Sequence, residues 1–116
     1  MATTTLPDVA HYTYRVMWSG EDNEHVATCL EFPSLSWLAP LPDEALRGLQ
    51  VLLGDVVRDM AERNESIPAP LTSRSYSGKF NVRVGEYLHR ELAIAAADAG
   101  LSLNQYVLLR LARSGS

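Results

Sequence analysis

Apolar and polar positions alternate with a period of two near the start of the chain, where Tyr12, Tyr14, Val16 and Trp18 are interleaved with Thr13, Arg15 and Met17. That period places successive side chains on opposite faces of a strand. Ser19-Gly20-Glu21-Asp22-Asn23 is a turn signal and His25 to Leu30 supplies a second strand, so the pair predicts a hairpin. Pro33 ends the second strand, and Ser36 to Leu38 predicts a short third one. From Pro42 the apolar spacing lengthens to three or four: Ala45, Leu46, Leu49, Leu52, Leu53, Val56, Val57 and Met60 form one stripe. Such a stripe marks a helix that covers a sheet. Pro42 suits its first position, and Asp43 and Glu44 suit its first turn, where a negative charge meets the positive end of the helix dipole. Asp43 with Arg47 and Asp59 with Arg63 are spaced as surface ion pairs worth about 0.2–0.5 kcal/mol each.

Two prolines and three hydroxyl residues interrupt the periodicity over Ile67-Pro68-Ala69-Pro70-Leu71-Thr72-Ser73-Arg74-Ser75, which reads as a stiff linker over residues 68–76. Beyond it, Phe80, Val82 and Val84 alternate with Lys79, Asn81 and Arg83, a second stretch of period two. The polar set suits base edges, since Arg or Lys engages guanine and Asn pairs in bidentate fashion with adenine. An ordinary half-buried strand with a solvated face shows the same alternation. A helix follows at once: Leu88, Leu92, Ala96 and Ala99 are spaced by three or four, with Glu86 four residues before Arg90. Gly100 is placed to end it in the left-handed conformation, Ser102 and Gln105 form a capping box for a further helix, and Leu101 with Tyr106 complete a staple. The N-terminus of that last helix leaves the Leu103 and Asn104 amides open to an anion, which on DNA is a phosphate. The fold class is therefore α+β: a small N-terminal antiparallel sheet packed on one helix over residues 9–67, then a β-α-α unit over residues 77–116.

Strand, tight junction, helix, glycine stop and capped second helix together resemble the ribbon-helix-helix family of bacterial repressors, which includes Arc and MetJ, across residues 77–113. The resemblance implies that two chains pair their strands into an antiparallel ribbon in the major groove of DNA. It places Lys79, Asn81 and Arg83 at the base-reading positions, Ser102, Leu103 and Asn104 at the phosphate clamp, and Phe80, Val82 and Val84 in the dimer core. Gly85 departs from the pattern, since many relatives start the first helix there with a proline.

Charge sharpens the division between the halves. The 116 residues carry a net charge of -4 and are 47% apolar, which argues against disorder. Residues 74–116 hold six bases against three acids, or +3, while residues 1–73 hold four arginines against eleven acids, or -7. Such asymmetry points to one half that meets nucleic acid and another that meets a different, basic, partner; a soluble acidic surface accounts for the second equally well.

In the acidic half, a hairpin followed by Glu31-Phe32-Pro33-Ser34-Leu35 and then Pro42-Asp43-Glu44-Ala45-Leu46 resembles the HicB antitoxin domain. From about residue 11 the whole chain resembles a HicB-family antitoxin. What this implies is a degenerate ribonuclease-H-like N-terminal lobe, without catalysis, that blocks HicA, a small basic ribonuclease, while the C-terminal unit represses the operon as a homodimer or an assembly of dimers. Leu35-Ser36-Trp37-Leu38 stands where relatives commonly show a Leu-Pro-Gly turn. A stand-alone repressor, whose first lobe serves oligomerisation or ligand sensing, is the alternative.

Catalytic and metal chemistry find little in the chain. Asp55 and Asp59 share a helix face, but Arg58, Glu62 and Arg63 interleave them, as on a solvated surface. His11, His25 and His89 lack ligand spacing, and Cys29 is the one cysteine, expected as a small buried residue in a reducing compartment. No enzyme activity, metal or cofactor is expected. With no window of eighteen apolar residues and no leader pattern, the expectation is a cytoplasmic protein that acts at DNA and not at a membrane. Trp18 is expected in the core, Trp37 in the core or against a partner, and the Thr3 to Thr5 run as a frayed terminus.

Overall fold

Tyr14–Ser19 (β1) and Glu24–Cys29 (β2) form the expected hairpin, with Tyr14 opposite Cys29 and Ser19 opposite Glu24. The structure, a computed structural model, describes residues 6–114; the Thr3 to Thr5 run lies outside the described residues. Asn23 closes the turn at φ 52°, a left-handed conformation that Asn tolerates better than most side chains, and Ser19 Oγ donates to Asp22 at 2.8 Å. Ser36–Ala39 (β3) pairs antiparallel with the other edge of β2, so the sheet order is β1-β2-β3.

Pro42–Glu62 (α1) covers one face of this sheet. Small residues on the sheet side, Ala27, Cys29 and Ala39, let the helix approach, and Ala45, Leu49, Leu53 and Val57 of the expected stripe are buried against them. Gly48 lies under the Trp37 indole: a Cβ there would come within 2.0 Å of Trp37 Nε1, so only glycine lets the ring rest on the helix. Trp18 departs from expectation. It is 56% exposed, because it sits beside the hairpin turn, where its ring meets the His25 imidazole edge-on at 5.1 Å and takes no part in the core. The Asp43–Arg47 and Asp59–Arg63 pairs form at 3.3 and 3.4 Å, and Asp55 is held by Arg58, all of them exposed on the helix surface. At its end, Glu65 N donates to Met60 O and Asn64 N to Ala61 O, with Asn64 at φ 57°, a left-handed stop made without glycine.

A carboxylate organises the exit from this unit. Glu31 accepts from Thr13 N at 2.9 Å, Thr13 Oγ1 at 3.1 Å and Leu71 N at 2.8 Å, and the Cys29 thiol also donates to it at 3.4 Å. Partial burial alone raises its pKa, but the amides of Leu71 and Thr13 favour the charged form and hold it down at about 2. Burial, aided by Cys29 and Glu31, pushes Tyr12 up and Tyr14 to about 12, so both phenols stay protonated; they donate to Pro68 O at 2.7 Å and Val9 O at 2.6 Å. The Cys29 thiol is also pushed up, chiefly by burial, and serves as core. Residues 68–74 are thus fastened to the sheet unit, with Thr72 Oγ1 donating to His11 O at 3.0 Å. The chain divides between Tyr76 and Ser77 into two units.

Candidate nucleic-acid interface

The second unit begins with a turn in which Lys79 N donates to Ser77 Oγ at 3.1 Å and Gly78 takes φ 86°. Residues 79–84 lie outside helix and outside any hydrogen-bonded strand. The expected strand has no ladder within one chain, because a lone strand has nothing to pair with. Phe80 is 77% and Val82 66% exposed, and Lys79, Asn81 and Arg83 are exposed as well. Both faces of the alternation therefore face solvent in a single chain.

Glu86–Asp98 (α2) starts at Gly85, whose φ 84° and ψ 159° belong to a region that only glycine populates freely. A proline, fixed near φ -65°, cannot take that place, so the glycine here has a backbone reason. Glu86 lies in the first turn, where its charge is favourable. It makes no ion pair with Arg90, contrary to the spacing, and both side chains are exposed. The helix stops as expected: Gly100 takes φ 72°, Leu101 N donates to Ala96 O at 2.9 Å and Gly100 N to Ala97 O at 3.1 Å.

Leu103–Ser114 (α3) follows at 97° to α2. The capping box is formed in both directions, Gln105 N donating to Ser102 Oγ at 3.1 Å and Ser102 N to Gln105 Oε1 at 3.0 Å. That geometry leaves the Leu103 and Asn104 amides at the helix N-terminus without an intrahelical acceptor.

Between the 80–84 segment, α2 and α3 lies an open groove of about 670 Å³. It brings together Phe80, Asn81, Val82, Arg83, Val84, Leu103 and Asn104; Lys79 and Ser102 lie outside its lining. Its remaining walls are Gly85, Glu86, His89 and Leu92 from the start of α2 and Val107 and Leu111 from α3. The last two continue from Leu103 at spacing four, a periodicity that the sequence carries. His89, without a ligand partner, gave no chemical signal at all.

Burial in this unit is slight. Among its described residues Ala96 alone is buried, and Leu88, Ile94, Leu108, Leu109 and Leu111 all remain exposed. The arrangement offers hydrogen-bonding side chains on one face of a segment whose other face is apolar, next to open helix amides. No single helix among the described residues is long and apolar enough to cross a membrane.

A model of the HicB family matches residues 63–111, a stretch that takes in this unit from its turn to most of α3 and leaves the sheet outside. Over that stretch, less than half of its length, the chain is similar to the HicB family. No curated protein and no solved structure matches the chain.

Proposed function

We propose that this chain is a non-enzymatic antitoxin that neutralises a HicA-like ribonuclease through its first unit and represses its own operon, in the cytoplasm, through its second. The observation that carries the reading is the 79–84 segment: alternating, exposed on both faces and without a strand partner. An edge with Phe80, Val82 and Val84 on one side is completed by a second copy, as in a ribbon-helix-helix dimer. Pairing covers that side and leaves Lys79, Asn81 and Arg83 for the major groove, while the Ser102, Leu103 and Asn104 cap clamps phosphate. In the same reading the sheet and α1 play the part of the degenerate ribonuclease-H-like lobe, whose acidic balance of -7 over residues 1–73 suits a basic toxin.

The family match leaves the sheet unmatched, and that favours a second reading, a stand-alone repressor with a first unit of another use. One experiment separates the two. The full chain is titrated with duplex from its own promoter, with scrambled duplex, and with the purified products of the adjoining reading frames. An antitoxin binds both its promoter and a small basic neighbour; a stand-alone repressor binds the promoter only; absence of promoter preference rejects both.

A further inference from the structure

The face of the sheet opposite α1 carries an apolar row. The register sets Met17 opposite Val26 and Val26 opposite Leu38, and the period of two turns all three away from the side on which Ala27, Cys29 and Ala39 are buried. Met17 is 51% and Leu38 41% exposed, with Val26 half-buried between them. An antiparallel sheet with one face in water ordinarily alternates hydrophobic-in with polar-out. Here the three strands contribute one apolar residue each, side by side, to the outer face.

The hairpin end of that row is acidic. Glu24 shares the outer face, Glu21 and Asp22 lie in the turn, and none of the three makes an ion pair among the described residues. Arg47, Arg58 and Arg63 are instead engaged by carboxylates on or just past α1, and the fourth arginine of residues 1–73, Arg15, stands exposed on the outer face at the end of β1 away from the hairpin turn, opposite Thr28. A second copy of the first unit would set its Glu21, Asp22 and Glu24 against those of the first, and residues 1–73 as a whole carry -7. A partner with basic side chains around an apolar strip is attracted, and it covers the row.

We propose that the Met17–Val26–Leu38 row, with Glu21, Asp22 and Glu24 at its rim, docks a protein that presents an apolar strip flanked by lysine or arginine. This rests on the toxin-binding reading of the first unit and names its surface.

The probes are the purified products of the two reading frames adjoining this chain's own, titrated calorimetrically against the full chain. Met17→Ser combined with Leu38→Ser alters two exposed side chains on the edge strands, so the fold is kept, as circular dichroism will verify. The pair is expected to weaken binding by about tenfold or more. Glu21→Lys, Asp22→Lys and Glu24→Lys together are expected to weaken it and to flatten its salt dependence. Val51→Ser, on the exposed side of α1, is expected to leave it unchanged. If a neighbour binds the parent and every variant alike, the surface is wrong and the antitoxin reading stands. If neither product binds the parent, the surface and the antitoxin reading fall together. If the parent self-associates in sedimentation and Leu38→Ser abolishes that, the row belongs to a second copy and the proposal is overturned.

Discussion

Glu31 accepts the Leu71 amide hydrogen at 2.8 Å, forty residues further along the chain. The carboxylate follows β2, the amide opens the short 3-10 turn Leu71–Ser73, and the bond fastens the exit of the first unit to the hairpin. Pro68 is fastened in the same way by the Tyr12 hydroxyl at 2.7 Å. The first unit thus extends past α1 as far as Tyr76.

The Glu31 interaction is pH-dependent. Its folded pKa of about 2 lies below the ordinary value of 4.5, so its contribution is complete above the ordinary value and is lost as pH falls toward the folded one. Melting curves of the parent are expected to lose stability from about pH 5 down to about pH 2, and Glu31→Gln to lose less over that range while being less stable by about 1–3 kcal/mol at neutral pH. Parallel pH profiles for parent and variant would remove Glu31 from this role.

At the start of α2 the glycine is a backbone requirement. Gly85→Ala keeps φ 84° only under strain and is expected to cost about 1–3 kcal/mol. Gly85→Pro is expected to shift the helix start and cost more. Chemical denaturation followed by far-ultraviolet circular dichroism measures both, and a Gly85→Pro variant as stable as the parent would mean that the helix start does not depend on the positive φ at Gly85.

Dimerisation and folding of the second unit are expected to be coupled. With Ala96 alone buried among its described residues, the unit lacks the interior that an isolated domain of its size needs. Sedimentation and circular dichroism of the full chain at falling concentration should show helix loss together with dissociation. Full helix content in a monomeric chain would count against the paired ribbon.

On the proposed reading, the polar side of the 79–84 segment separates a DNA reader from an ordinary surface segment. Asn81 and Arg83 are exposed, so replacing either with Ala is expected to change stability by less than about 0.5 kcal/mol. Operator binding should weaken by about 1–3 kcal/mol, with relaxed preference at one base pair per half-site. Arg110→Ala, if that side chain meets only the phosphate backbone, should weaken all sequences alike. Titrations against operator and scrambled duplex at two salt concentrations distinguish these effects, and unchanged operator affinity for the Asn81 and Arg83 variants would reject the 79–84 segment as the reading element.

The elements with a strong local signal were legible from residues alone. The α1 stripe, the Gly100 stop and the Ser102–Gln105 box depend on neighbours within a turn or two of the same helix, and all three form. Longer-range relationships were hidden. Nothing near Glu31 announces Leu71, so residues 68–76 read as a stiff linker, and their hydrogen bonds back to the first unit were not foreseen. Trp18 fits the alternation of its strand, but alternation fixes a face and not whether the opposing layer extends that far. Of the groove, the Phe80–Val84 walls followed from the period of two, whereas His89, Val107 and Leu111 enter because α2 and α3 meet at 97°.

The unpaired 79–84 segment bears on dosage. On the proposed reading the base-contacting surface does not exist in one molecule and is assembled only in an encounter of two. While chains are mostly single, the amount of assembled reader follows the square of their number, so halving the supply lowers it by about fourfold. Promoter shut-off then responds to protein abundance more steeply than in proportion.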